Sequence, residues 1–179
     1  VPRSTISLDL VVAADLATVE GSLTLRYVNQ ETMPVDRVRF LLHPVLAGGR
    51  MEITACTVNA AAVSPGDGPV ASLRLPRALA AGESADIALA WRTTVPHVDG
   101  GGPLARRDRF ASLAWCFPMP VSARTGVDLP APFADWLCTD AMAWRVRVSV
   151  PAGSTLVTGG VETGRTGVDG RAVVDLALD

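Results

Sequence analysis

The feature that most restricts this chain is a two-residue hydrophobic period that recurs along nearly its whole length. Ile6, Leu8, Leu10 and Val12 are separated by Ser7, Asp9 and Val11, and Val19, Leu23, Leu25 and Tyr27 by Glu20, Ser22, Thr24 and Arg26. Successive side chains of a strand point to opposite faces, so this spacing yields one apolar face and one wettable face. A helix needs a period of 3.6 residues, and no stretch sustains one. In residues 35–42, Val38, Phe40 and Leu42 face inward and Arg37 and Arg39 outward, with His43 and Pro44 ending the run. Met51, Ile53, Ala55 and Thr57 predict one face of a further strand, and the turn-forming residues 64–69 predict a hairpin into a short strand at 72–75. Alternation is strongest at Ile87, Leu89 and Trp91, and returns at Trp144, Val146, Val148 and Val150, then at 155–158 and 171–178. Residues 98–103 are glycine-rich and 117–132 proline-rich, and both read as irregular crossings. About nine short strands joined by turns predict an all-β fold, an antiparallel β-sandwich or saddle-shaped sheet. No boundary divides it, so residues 1–179 read as one β domain.

Composition narrows the chemistry. A chain of 179 residues that is 49% hydrophobic has the material for a full core without disulfides or metal. The net charge of -2 argues against a nucleic-acid partner. All 16 cationic side chains are arginine, so Schiff-base, amine-base and phosphate-loop lysine chemistry is excluded. No run of 18 apolar residues is present, so the chain is expected to be soluble, cytoplasmic or exported, with no membrane partner. Cys56, Cys116 and Cys138 form no C-x-x-C pair and read as buried small hydrophobes, with a Cys116–Cys138 bond left open.

Candidate sites are few. The glycine-rich run 159–167 lacks the lysine and following helix of a phosphate loop, and reads as a β-turn. His43 and His97 each adjoin a proline at a strand end, and no H-E-x-x-H occurs. Asp128, Asp135 and Asp140 match no calcium loop and read as turn-forming residues, with an enzyme built on them a third-ranked alternative. Phe110, Trp115, Phe117, Phe133, Trp136 and Trp144 concentrate most of the chain's aromatic content in one stretch. That clustering predicts either a local core that closes the loops over the sheet or an exposed patch.

The order of these signals resembles the amino-terminal β domain of the aminopeptidase-N-like zinc metallopeptidases, the gluzincins, in their bacterial branch. The matching pieces begin with Val19-Glu20-Gly21 leading to Leu23, Leu25 and the turn residue Asn29. They continue with Phe40-Leu41-Leu42-His43-Pro44, with Leu73-Arg74-Leu75-Pro76 through Leu79-Ala80-Ala81-Gly82-Glu83, and with Trp91-Arg92-Thr93-Thr94-Val95-Pro96. Trp115-Cys116-Phe117-Pro118 resembles the W-x-x-P variant of bacterial members, and Val146-Arg147-Val148-Ser149-Val150-Pro151-Ala152-Gly153 the V-x-V-x-V-P-x-G close.

The resemblance implies a saddle-like β domain that carries no catalytic residue, no metal ligand and no cofactor of its own. Zinc is expected in a separate catalytic domain, so the chain is expected to be a fragment of a longer zinc metallopeptidase whose catalytic domain is absent. Its implied role is to pack on that domain, its partner within the same polypeptide, and to shape the peptide-substrate cleft, touching peptide at most indirectly. Phe110, Trp115, Phe117 and Trp136 are the candidates for the cleft or interdomain surface. Residues 112–118 hold no Gln or Glu, so the family's contact to a substrate α-amine has no counterpart there. A self-contained β-sandwich binding or adhesion module is the alternative, and an H-E-x-x-H beyond Asp179 would separate the two.

Overall fold

The computed structural model describes residues 3–46, 49–66, 68–123 and 140–178. The first strands are β1 (Ser4–Val12), β2 (Thr18–Val28) and β3 (Val35–Leu41), followed by the one-turn helix α1 (His43–Leu46). Next come β4 (Arg50–Val58), β5 (Ala61–Ala62), β6 (Val70–Leu79) and β7 (Ser84–Thr94). The chain continues through β8 (Leu104–Arg107), β9 (Phe110–Leu113) and β10 (Met119–Val121) to β11 (Met142–Pro151), β12 (Val161–Val168) and β13 (Arg171–Leu178). All-β architecture is thus what the alternation predicts.

Eight strands form one sheet in the order β12-β13-β11-β1-β2-β7-β4-β5, three form a second in the order β10-β3-β6, and β8 pairs with β9 alone. The buried side chains of β1 alternate without a break, and one apolar cluster joins them to Val38 and Phe40 of β3 and to Leu73 and Leu75 of β6. The two sheets therefore share a core, with the small sheet covering one face of the large one. Among the described residues every strand pairing is antiparallel except β1 with β11, which run parallel from Ser4↔Met142 to Val11↔Ser149, and an isolated parallel bridge joins His97 to Arg106. In the β1–β11 pair, β11 lies on the edge of β1 that β2 leaves free.

Several sequence expectations fail in detail. β4 and β6 are not a hairpin: β4 pairs with β7 in the large sheet, whereas β6 pairs with β3 in the small one. Local turn residues carry no information about which layer a following strand joins. The inward face of β4 also changes along its length, because a register shift between Ile53 and Ala55 brings Cys56 and Val58, rather than Ala55 and Thr57, into the core. The run 159–167 is mostly the strand β12, not a turn, and residues 155–158 are irregular. Glycines are tolerated there because β12 is an edge strand with one partner, and its hairpin to β13 closes on Asp169 and Gly170, both at positive φ (48° and 70°). β6 runs through Pro76 because it too lies at an edge, where a missing N–H breaks no ladder.

Candidate functional site

Residues 98–103 are irregular, as their glycines predict, whereas residues 117–132, read as a second irregular crossing, include the strand β10 at Met119–Val121, with 124–132 outside the described residues. The stretch 104–121 holds the β8–β9 hairpin and β10, fastened to the rest of the domain at its base. The anchor is Trp91 of β7, only 2% exposed, whose indole Nε1 donates to the Cys116 carbonyl at 3.0 Å. Thr93 Oγ1 donates to the same oxygen at 2.8 Å, so two buried donors converge on one carbonyl. The Trp91 ring needs room on β2, and Gly21, its direct cross-strand partner, provides it. A Cβ at position 21 would lie 2.3 Å from Trp91 Cζ2 and 2.9 Å from the Asp9 carbonyl oxygen. The glycine of the Val19-Glu20-Gly21 motif is therefore dictated by the tryptophan opposite it.

A second buried hub explains the other motif residues. Asn29, at the end of β2, donates from Nδ2 to the carbonyls of Met33 (3.0 Å) and Leu79 (2.9 Å), and its Oδ1 accepts from the Glu31 N–H at 2.9 Å. Its backbone N–H donates to Glu83 O, and its carbonyl accepts from the Gly82 N–H, where φ of +79° suits glycine. Glu83 closes the same turn by accepting from Arg77 at 2.6 Å and from the Ala80 N–H at 2.8 Å. The Arg77 hydrogen bond holds the Glu83 carboxyl below the usual carboxylate range.

The hairpin is stiff at its base and bare at its tip. Leu104 and Ala105 are buried; Arg106 N donates to Pro96 O at 2.8 Å, Val98 N to Arg106 O at 3.1 Å and Ala114 N to Pro103 O at 2.8 Å. Arg106 Nε reaches back to Val95 O, and Arg107 Nη1 to Asp99 O at 3.1 Å. Beyond them the chain reverses at Asp108, whose φ is +48°, and Phe110 emerges 66% exposed.

The three described candidate aromatics do not form one patch. Phe110 projects from the tip. Trp115 is half-buried and its ring lies 4.3 Å, centroid to centroid, from that of buried His43. Phe117 is half-buried and meets Trp144 edge-on at 5.8 Å. Trp136 lies outside the described residues, as do Phe133, Asp128, Asp135 and Cys138, and with Cys138 the question of its pairing with Cys116. Asp140 is described, and it accepts from Ser122 Oγ at 2.7 Å. The exposure of Phe110 against the burial of its neighbours was not legible in sequence, since all lie within one aromatic-rich stretch.

The titratable groups nearby are tuned away from reactivity. Burial pushes the Cys116 thiol up to about 12 and the Cys56 thiol to about 11, the opposite of an activated nucleophile. Burial also lowers the His43 pKa, which keeps its imidazole neutral. Tyr27 is raised to about 12 by burial first and then by Asp140 and Glu31. Among the described residues no three His, Cys, Asp or Glu side chains are grouped to hold a metal ion. No helix among the described residues is long and apolar enough to cross a membrane.

No family profile and no curated protein matches the sequence. Solved structures do. The chain is similar over 99% of its length to an M1 zinc metallopeptidase from Deinococcus radiodurans, with a TM-score of 0.63 and 22% identity, and spans 38% of that chain. A mutant of that enzyme bound to a Tyr-Ser-Ala substrate gives a TM-score of 0.66 over 97% of this chain, again at 22% identity and 38% of the other chain. Legionella pneumophila aminopeptidase A in complex with aspartic acid gives a TM-score of 0.62 at 9% identity, over 98% of this chain and 19% of that one. The fold is that of the amino-terminal β domain of aminopeptidase-N-like zinc metallopeptidases. The chain spans well under half the length of the structures it matches.

Proposed function

We propose that this chain is the non-catalytic amino-terminal β domain of a zinc-dependent metallopeptidase of the aminopeptidase-N type, packed against the catalytic domain of the same polypeptide and forming part of the wall of its peptide cleft. One observation carries the reading: essentially the whole chain superposes on a minor share of several metallopeptidase chains, as one domain of a larger enzyme would. The chain's own chemistry fits a passive role, with both buried thiols and the buried imidazole held neutral and no H-E-x-x-H in its sequence. Zinc would belong to the catalytic domain. Loops and hairpins on a rigid sheet usually carry contacts, so the segment that carries Phe110, Trp115 and Phe117 is the part assigned to the cleft or the domain boundary.

Two measurements test this. The reading frame beyond Asp179 should encode H-E-x-x-H in a helical pattern, and its absence there would favour a free-standing binding module. Purified chain supplied with zinc and chromogenic aminoacyl substrates should show no chelator-sensitive turnover, and appreciable turnover would refute the reading.

A further inference from the structure

We propose that Arg37, Arg39 and Arg74, on the solvent face of the three-stranded sheet, form a binding site for a small oxyanion that carries at least two negative charges. The site goes beyond the proposed function and depends on no neighbouring domain. Three observations carry it. First, the cross-strand registers treat these arginines differently from the others. In five pairings of the large sheet an arginine directly faces a carboxylate: Arg92 faces Glu20 and Glu52, Arg147 faces Asp9 and Asp175, and Arg26 faces Asp86. Among the described registers an arginine faces another arginine only at Arg37↔Arg74. Like charges directly opposite on a sheet destabilise it, and an anion between them reverses the sign of that interaction. Second, burial of Val38 and Phe40 on β3 and of Leu73 and Leu75 on β6 turns Arg37, Arg39 and Arg74 to the same outer face. Asp36 holds the Arg37 guanidinium at 3.2 Å, which leaves Arg39 and Arg74 without an ion pair among the described residues. The Asp36 carboxyl lies below its ordinary range, mainly through the Arg37 hydrogen bond, with the Arg74 charge adding to it. Three cations thus stand against one carboxylate. Third, Arg37 and Arg39 border a recess of about 160 Å³ between β3 and the end of β10, walled also by Pro34, Val121 and Ala123. An anion there is partly enclosed rather than held on a flat sheet. Planar guanidiniums offer paired N–H donors to phosphate and carboxylate oxygens, and several together favour a dianion over a monoanion.

The test titrates the polypeptide encoded by the complete reading frame with inorganic phosphate, succinate and acetate at equal ionic strength, reading heats of binding by calorimetry. Phosphate or succinate should bind about tenfold more tightly than acetate. Arg39→Gln and Arg74→Gln should each weaken that binding about tenfold, whereas Arg92→Gln, which removes an arginine already matched by Glu20, should leave it unchanged. Urea unfolding is read in parallel, because it separates the site from general salt effects. Without the dianion Arg74→Gln should be no less stable than the parent, since a like-charge pair has gone, and the dianion should then stabilise the parent more than the variant. Tighter binding of phosphate makes the ligand a phosphoryl group and tighter binding of succinate a dicarboxylate, and either result, or a tie, upholds the site. Acetate binding as well as both dianions, or affinities unmoved in Arg39→Gln and Arg74→Gln, would overturn it and leave the proposed function untouched.

Discussion

Trp91 and Phe110 are both large aromatics on antiparallel strands, the first on the long β2–β7 pairing and the second on the four-residue β8–β9 hairpin, and they serve opposite ends. Trp91 is enclosed: its ring fills the space left by Gly21 and its N–H holds the carbonyl of Cys116, so it binds the large sheet to the base of the hairpin segment. Phe110 stands in solvent at the other end of that segment, with no contact that the fold requires. Burial fixes the base, whereas the tip keeps its apolar surface in solvent.

That contrast can be broken experimentally at several strengths. The largest loss is expected for Trp91→Ala, about 4 kcal/mol of unfolding free energy by urea titration, because a fully buried indole and the partner of a buried carbonyl disappear together. Gly21→Ala should cost about 3 kcal/mol, as the added methyl forces the Trp91 ring aside. If Trp91 is truly its obstacle, the cost should shrink in the Trp91→Ala background, and a fully additive cycle would refute the assignment. Asn29→Ala strands two carbonyls and one N–H at the turn hub, and about 2 kcal/mol should be lost in the same assay. The alkaline limb is a milder probe. The Cys116 pKa is raised by burial from the ordinary thiol value of 9.0 to about 12 in the folded chain. Below pH 9.0 both states hold the proton and the full stability is present. Between 9.0 and about 12 only the unfolded chain releases it, so stability should fall through that window, and less steeply in Cys116→Ala. Phe110→Ser should be the smallest effect, within about 0.5 kcal/mol in the isolated chain, and a larger loss there would mean that the tip is structural after all.

The motif residues were legible as a pattern before they had reasons. Val19-Glu20-Gly21 and Leu79-Ala80-Ala81-Gly82-Glu83 are visible in the sequence, but only the fold shows that one glycine makes way for Trp91 and the other completes a turn closed on Asn29. The strand β12 is hidden in the sequence because glycine breaks strands in general, and only the fold shows that this strand lies at an edge. The Asp169-Gly170 pair was a hairpin signal that could have corrected it. The aromatic stretch hid its division of labour for a similar reason: composition reports how much apolar surface a segment has, not which of its residues are covered.

Taken alone, the sequence determined that the chain is a β protein, since a two-residue period produces a one-sided apolar ribbon whatever the surroundings, and the inward set Ile6, Leu8, Leu10 and Val12 follows directly from it. Tertiary structure alone decided which sheet each strand joins, that β1 and β11 run parallel, and that Phe110 is left outside while Trp91 is sealed in. Periodicity is a local property of neighbouring residues. Pairing and exposure are set by contacts between segments far apart in the chain, which no local pattern encodes.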